Sequence, residues 1–240
     1  MREILIISAT ELEQTELAHR LESPINQVVV GKRWVTGTRG NAKVRLVAGG
    51  LGAVNTAHAL SCVLQSQIPE LVLQVGIGGA YPTSGLELGA LAVATIENYG
   101  DLGVRTREGW QSSAAIGIPL VRGSNDFYNH FPLDDALVLW AQGVLAKGNS
   151  SLRVGPFVTV QECSGTIELG RERCERFAAI CENMEGAAAA HICRLFEVPF
   201  LEVRGISNMV EDRHRDAWDI PGAAAAAQEA AWDMIGKFQA

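Results

Sequence analysis

Three groups of polar residues that could take part in catalysis lie at the ends of short apolar runs. The groups are Glu11 with Glu13, the Asn-Met-Glu triplet at residues 183–185, and Arg204 with Ser207 and Asn208. A carboxylate can act as a general base or stabilise a developing cation, and an amide can both donate and accept hydrogen bonds. Together the three groups indicate a functional site.

Each group also has a plainer explanation when it is taken alone. Glu11 and Glu13 could be first-turn carboxylates that favour a helix N-terminus, and Glu185 could have the same role. Asn208 could cap the end of a strand. The joint occurrence of the three groups at strand ends favours a functional interpretation.

The elements that would position these groups alternate between strand and helix. Hydrophobic periodicity predicts strands at residues 4–8, 27–30, 44–50, 71–79, 88–99, 152–160 and 198–207. It predicts helices at residues 11–22, 53–67, 133–147, 168–178 and 184–196, and from about residue 221. This alternation predicts an α/β fold with a mostly parallel, helix-covered sheet in a single domain, residues 1–240. Residues 98–132 show little periodicity, as expected of a functional loop.

The composition of the chain argues against some classes of binding partner. The chain has 240 residues, a formal net charge of −7 and no cluster of Lys and Arg, which argues against a nucleic-acid groove or an anionic membrane surface. No apolar run approaches the length of a membrane span. The five cysteines form no Cys-x-x-Cys pair and the histidines are scattered, so we expect reduced thiols, no metal, no cofactor and a cytoplasmic protein without a signal peptide.

Two glycine-rich stretches do not match the nucleotide-binding motifs. In AGGLGAVNTA (48–57), Asn55 stands where a dinucleotide-binding motif needs its third glycine, and GIGGAYP (76–82) lacks the Gly-Lys-Ser/Thr of a P-loop. The second stretch still predicts a binding surface. The small residues at 76 and 78–80 would let a flat ring approach the backbone at a strand end, so Gly76 and Ile77 are candidate binding residues.

Three motifs, in order and at consistent separations, resemble the nucleoside phosphorylase and nucleosidase superfamily, close to the methylthioadenosine/adenosylhomocysteine nucleosidases. They are SATELE at residues 8–13, ENMEGAAAAHIC at 182–193 and VPFLEVRGISN at 198–208. The resemblance covers nearly the whole chain. It implies a three-layer α/β/α sandwich on a twisted mixed sheet, and cleavage of an N-ribosidic bond.

The resemblance also implies roles for individual residues. Glu13 matches the catalytic carboxylate that activates water at the anomeric carbon. Met184 matches the residue beneath the ribose, and Glu185 matches the residue that binds the ribose hydroxyls. These residue types suit the chemistry, because a carboxylate near the sugar stabilises an oxocarbenium-like transition state more than the ground state.

At the base end of the implied site, Arg204 and Ser207 match lining residues, and Ser207 would position the next side chain. Cys163 lies where relatives carry a base-stacking Phe, which leaves the stacking partner open. Asn208 stands where the adenine-specific relatives have Asp. An amide can donate to O6 of a 6-oxopurine while its carbonyl accepts from N7–H, so we expect a preference for hypoxanthine or guanine over adenine.

The resemblance also indicates which nucleophile is used and which 5′ substituent the substrate carries. SATELE replaces the phosphate-binding loop of the phosphorylases with carboxylates, which favours water. A nucleosidase for a 6-oxopurine resembles the futalosine hydrolase family, which implies release of hypoxanthine from an inosine-like nucleoside with a carboxyphenyl tail. Arg107, with Arg105 and Trp110, could contact that tail, although the two arginines could instead be solvated loop residues.

Other functions remain open. They are a methylthioadenosine-type nucleosidase that tolerates Asn208, a phosphorylase with an unfamiliar phosphate site, and a nucleoside-binding regulator without turnover. The resemblance implies a small-molecule purine nucleoside as the substrate, and a homo-oligomer in which a neighbouring subunit closes the 5′ pocket.

Overall fold

The computed structural model describes residues 2–123, 125–147 and 151–238. Within these residues, a mixed sheet of ten strands forms the centre of the protein. The strands are β1 (Arg2–Ser8), β2 (Glu22–Val29), β3 (Lys32–Arg39), β4 (Ala42–Ala48), β5 (Leu71–Ala80), β6 (Leu91–Tyr99), β7 (Gly103–Thr106), β8 (Gly109–Ser112), β9 (His130–Pro132), β10 (Arg153–Thr159), β11 (Cys181–Asn183) and β12 (Phe200–Met209). The helices are α1 (Thr15–Arg20), α2 (Ala53–Ser66), α3 (Asp135–Leu145), α4 (Ile167–Phe177), α5 (Gly186–Leu195) and α6 (Ile220–Lys237), and short 3₁₀ turns occupy Pro82–Ser84, Ser113–Ile116 and Arg215–Ala217. Strands β7 and β8 form a separate hairpin.

The order of strands along the sheet is β11-β10-β6-β12-β5-β1-β4-β3-β2, and β9 pairs with β6. Parallel pairing joins β1 to both β4 and β5, β12 to β5, and β10 to both β6 and β11, whereas β12 runs antiparallel to β6. Strand β11 also pairs antiparallel with β5, so that β5, β12, β6, β10 and β11 close into a ring. The predicted α/β fold with a mixed central sheet is confirmed.

Helices cover both faces of the sheet. Helices α1, α3 and α6 pack together on one face, and α2 packs with α5 on the other. The α6 face that meets β12 carries buried alanines, and a Cβ at Gly205 would collide with the carbonyl oxygen of Ala223. Small residues on both sides therefore let this helix approach the strand closely. The buried core continues through β1, where Ile4–Ile7 are at most 1% exposed.

The helix predicted at residues 11–22 is wrong in its bounds. Only Thr15–Arg20 are helical, and Glu22 already begins β2, which pairs antiparallel with β3. Ser23 has φ 50° and is followed by proline, which cannot continue a helix. The strand predicted at residues 27–30 coincides only with the end of β2, because most of β2 is exposed at the sheet edge and shows no strong apolar period. Strand β3 has no counterpart in the prediction.

The stretch predicted as a loop at residues 98–132 contains the β7–β8 hairpin and the short strand β9.

All five cysteines are free thiols. None of the helices within the described residues combines the length and the apolar character needed to cross a bilayer.

Candidate active site

The main chain at the end of β5 forms the centre of the candidate site. The amide of Ile77 donates to Glu13 Oε1 at 3.0 Å, and its carbonyl accepts from Arg204 Nη1 at 3.1 Å. The hydroxyl of Ser207 lies 3.3 Å from the carbonyl oxygen of Gly78. One glycine-rich strand end therefore brings the carboxylate of Glu13 together with a guanidinium and a hydroxyl from β12, almost 200 residues away in the sequence.

Glu13 lies between β1 and α1, not in the first turn of a helix. Its Oε2 accepts hydrogen bonds from the amide and the hydroxyl of Thr10, both at 2.8 Å, in addition to the Ile77 bond at Oε1. The side chain is buried. Three donors therefore fix the carboxylate in one orientation, as a general base requires.

Glu185 immediately precedes α5 and does not cap it with its side chain. Instead, Oε1 accepts from the amide of Gly52 at 3.0 Å, and Oε2 lies 3.3 Å from Arg204 Nη1. Burial raises the pKa of Glu185, and the neighbouring Glu13 adds to this effect, whereas Arg204 and the Gly52 amide oppose it. The two carboxylates are thus close enough for their charges to interact.

Arg204 connects the two carboxylates to the interior of the protein. Its Nε donates to Glu202 Oε1 at 2.8 Å, and the side chain is 1% exposed. Burial alone would lower the pKa of Arg204, but Glu202, Glu185 and Glu13 outweigh that effect and raise it. The guanidinium therefore stays charged and offsets part of the negative charge of the site.

A β-bulge in β12 presents Asn208. Ile206 pairs with Gly78 and Asn208 with Gly79, so Ser207 is the extra residue. The Ser207 hydroxyl donates to Asn208 Oδ1 at 2.9 Å, and Asn208 Nδ2 donates to the carbonyl of Met209 at 3.0 Å. These bonds fix the orientation of the amide and leave it one N–H and one lone pair. A strand-end cap would account only for the bond from Asn208 to Met209, and not for the bond from Ser207.

Met184 and Cys163 also lie together, with 3.3 Å between Sδ and Sγ. Burial, assisted by Glu182, raises the pKa of the Cys163 thiol. The chain around Cys163 is held by Ser164, whose amide and hydroxyl both donate to Glu182, at 2.8 and 2.6 Å. Arg173 donates to the Ser164 hydroxyl at 2.9 Å. The thiol is thus neutral and sits on a rigid loop.

Glu182 and Arg173 were missed by the sequence interpretation. Glu182 lies beside the recognised triplet, but a single acidic residue in a strand gives no indication of a buried ion pair. Arg173 lies on α4 in a run of charged residues, which is typical of a solvated helix face.

The residues proposed to reach the substrate tail lie in two places. Arg105 and Trp110 line a cavity of about 710 Å³ that is also bordered by Ala53 and Gln161. Arg105 pairs with Glu172 at 3.0 Å. Arg107 is exposed in the turn between β7 and β8. The structure therefore does not bring Arg107 to the candidate site of the same chain.

The chemistry available at this site is acid–base catalysis and electrostatic stabilisation. Within the described ranges, no cluster of three or more His, Cys, Asp or Glu side chains could hold a metal ion. Two buried carboxylates around one guanidinium can activate water and stabilise a cationic sugar, and an amide at the end of β12 can bind a polar heterocycle.

Comparison with known proteins identifies the family of the chain. The model of the Phosphorylase superfamily matches residues 3–238. The chain belongs to this superfamily. A futalosine hydrolase from Thermus thermophilus is 34% identical over 202 residues, which are 84% of this chain and 84% of that protein.

Solved structures with the same fold include two nucleosidases. An S-adenosylhomocysteine nucleosidase from Streptococcus pyogenes, in complex with 5-methylthiotubericidin, has a TM-score of 0.87 at 22% identity and covers 100% of this chain and 98% of its own. A 5′-methylthioadenosine/S-adenosylhomocysteine nucleosidase from Neisseria meningitidis, in complex with methylthio-immucillin-A, also has a TM-score of 0.87, at 20% identity over 99% of this chain and 100% of its own. The predicted superfamily is confirmed, and so is the prediction that the chain is a nucleosidase.

Replacing Glu13 by Gln tests the proposed base. The amide nitrogen would face a backbone or hydroxyl donor, and the side chain could no longer take a proton from water. We expect kcat to fall by about 10²–10⁴-fold with substrate binding nearly intact. Single-turnover kinetics and equilibrium binding separate the two effects.

Glu11→Gln is the matched control for this experiment, because Glu11 is exposed and pairs with Arg33 at 2.7 Å. It should behave like the wild type. Near-normal turnover by Glu13→Gln would remove Glu13 from the role of base.

Gly76→Ala tests the close packing beneath the carboxylate. A Cβ at residue 76 would lie 2.6 Å from Arg204 Nη1 and 2.8 Å from Glu13 Oε1, so both groups must move. We expect a loss of kcat of at least about 10²-fold. Gly143→Ala is the control, because a Cβ there has no atom within 4 Å and lies in helix α3. Unchanged kinetics in Gly76→Ala would contradict the geometry described above.

Proposed function

We propose that the protein hydrolyses the N-ribosidic bond of futalosine, and so releases hypoxanthine and leaves dehypoxanthine futalosine, a step of menaquinone biosynthesis by the futalosine route. One observation carries the proposal: a fixed carboxylate, Glu13, and a fixed amide, Asn208, flank the same glycine-rich strand end. The relative from Thermus thermophilus supports this choice of substrate.

In the proposed reaction the ribose lies between Glu13 and Glu185, above Met184. Glu13 takes a proton from water as the water attacks the anomeric carbon, and the C–N bond breaks with its electron pair going to the purine. The purine takes up a proton from solvent at N7 and leaves as neutral hypoxanthine, so that one water is consumed overall. Positive charge develops on the sugar in the transition state. The buried carboxylates stabilise that charge more strongly than they would in water.

The leaving hypoxanthine is received by Asn208. The N–H that the amide does not give to Met209 donates to O6, and the free lone pair on Oδ1 accepts the proton of N7. A 6-aminopurine would set two donors against each other at the amide nitrogen. An unpaired polar group in such a site can cost about 10⁴–10⁵-fold in discrimination.

Water is favoured over phosphate as the nucleophile because of the charge beside β1. Glu11 and Glu13 follow the strand, and Glu13 is buried within the site. An anion placed there would be repelled by Glu13 and Glu185, and Arg204, which lies between them, is already paired with carboxylates.

The 5′ tail would extend toward the cavity that Arg105 and Trp110 line, next to the start of α2. Because Arg107 projects at the tip of the β7–β8 hairpin, it could reach a tail only in a neighbouring subunit. The proposal therefore includes a cytoplasmic homo-oligomer in which one subunit's hairpin completes its neighbour's pocket.

The competing candidate is a methylthioadenosine/adenosylhomocysteine nucleosidase, favoured by the fold shared with the enzymes of that name. Incubation with futalosine, inosine and methylthioadenosine, each without phosphate, tests the choice. Chromatography of the released bases should detect hypoxanthine from futalosine as the dominant product. Release of adenine at a higher rate, or a requirement for phosphate, would overturn the proposal.

Asn208→Asp should shift the preference toward 6-aminopurine nucleosides, because a protonated carboxyl can donate to N7 while its other oxygen accepts from the amino group. The measurement is the ratio of kcat/KM for futalosine to that for methylthioadenosine. We expect the ratio to fall by at least about 10²-fold. An unchanged ratio would remove the specificity assignment for this residue.

Arg107→Ala should raise KM for futalosine and leave KM for inosine unchanged, because inosine lacks the anionic tail. Arg171→Ala, an exposed arginine on α4, is the control. Steady-state kinetics with both nucleosides measure the effect. Equal changes for the two substrates would exclude a contact between Arg107 and the tail.

A further inference from the structure

A second buried carboxyl group, that of Glu202, lies directly behind Arg204. It is 0% exposed and accepts from Arg204 Nε through Oε1 at 2.8 Å. Its other oxygen, Oε2, has no N–H or O–H donor among the described residues. The neighbouring amide of Gln74, opposite Glu202 in the register of β5 and β12, makes no hydrogen bond to it. A buried carboxylate oxygen with no donor is unfavourable, so this oxygen requires a proton from a neighbouring group.

The partner for that proton is Glu97 on β6. Glu97 is also 0% exposed, and its oxygens accept from Asn183 Nδ2 at 2.6 Å, Thr159 Oγ1 at 2.8 Å and the amide of Asn98 at 3.2 Å. A proton carried by Glu97 and directed at Glu202 Oε2 would supply the donor that this oxygen lacks.

The two carboxyl groups meet at Gly186, the first residue of α5. A Cβ there would collide with Glu97 Oε1 and with Glu202 Oε2, so the glycine makes room for the contact. Burial and the adjacent Glu202, to which it is hydrogen-bonded, raise the pKa of Glu97 well above its ordinary value. Two carboxyl groups in such contact cannot both ionise, and the pair retains one proton at neutral pH.

We propose that Glu97 and Glu202 share one proton and act as a positioning pair for Arg204, in which the proton satisfies Glu202 Oε2 and thereby holds Oε1 against the guanidinium. The effect on catalysis rests on the proposed nucleosidase function. Without that proton the pair would carry a second negative charge in the buried site, and Glu202 would no longer be fixed against Arg204.

Other titratable groups surround the pair. They are Arg204 from β12, Glu185 just before α5, Cys181 from β11 and Tyr99 from β6. Burial raises the pKa of the Cys181 thiol and of the Tyr99 hydroxyl, so both are neutral in the range in which the pair would titrate. Glu13 reaches the pair only through Arg204.

Two substitutions at residue 202 separate a shared proton from an ordinary ion pair. In Glu202→Gln the carbonyl can accept from Arg204 Nε, and the amide nitrogen can donate to Glu97 in place of the shared proton. In Glu202→Met the volume is kept and both bonds are lost. We expect the Gln variant to keep kcat within about threefold of the wild type, and the Met variant to lose about 10²-fold with a smaller change in KM.

The pH dependence of stability tests the proton without any substrate. An unfolded Glu loses its proton above a pH of about 4.3, while the folded pair keeps one, so the folded state binds more protons. Wild-type stability must therefore fall as pH rises above that value, until the pair itself titrates. Glu202→Gln lacks this proton, so its Tm minus the wild-type Tm should grow between pH 5.5 and 8, by roughly 3–5 °C per pH unit.

The thermal and kinetic results can fail separately. A Tm difference that does not change with pH would overturn the shared proton even if futalosine is the substrate. A growing Tm difference with equal kcat losses in Glu202→Gln and Glu202→Met would overturn the positioning role. If futalosine is not cleaved at all, the Tm measurement still decides whether the pair holds a proton, and the proposed function fails on its own.

Discussion

The structure around the candidate site depends on the burial of one guanidinium among carboxylates. Arg204 is almost inaccessible to solvent, yet it contacts Glu185, Glu202 and the carbonyl of Ile77. Removing such a charge from water is costly unless its partners are well placed. The glycines of β5, the bulge in β12 and the turn before α5 provide these partners and the space for them, so that the cation can be buried close to Glu13.

Much of the fold could be predicted from the sequence, because buried strands and amphipathic helices produce clear apolar periods. The long strands β5 and β12 and the helices α2 and α6 lie where the pattern placed them. The edge of the sheet could not be predicted in the same way. Strand β2 is mostly exposed and pairs with β3 at the edge of the sheet. Its side chains therefore need not alternate between apolar and polar types.

For the site, the motifs identified residues but not their contacts. Glu13, Glu185 and Arg204 were recognisable by type and order, and they converge. The roles of Glu97 and Glu202 could not be found in this way, because a buried acid on a strand has no local pattern and its neighbours come from distant segments. Arg107 shows the opposite case, since an arginine in a glycine-containing loop says nothing about which way the loop projects.

The closure of β5, β12, β6, β10 and β11 into a ring has a consequence for motion. A ring of strands has no free edge within it, so it cannot widen without breaking several main-chain hydrogen bonds together. Entry and exit of a ligand must then be governed by the segments outside the ring. Those segments include the residues after β12, which are joined to the chain beside Ser164 by the hydrogen bond from the Arg213 amide to the Gly165 carbonyl.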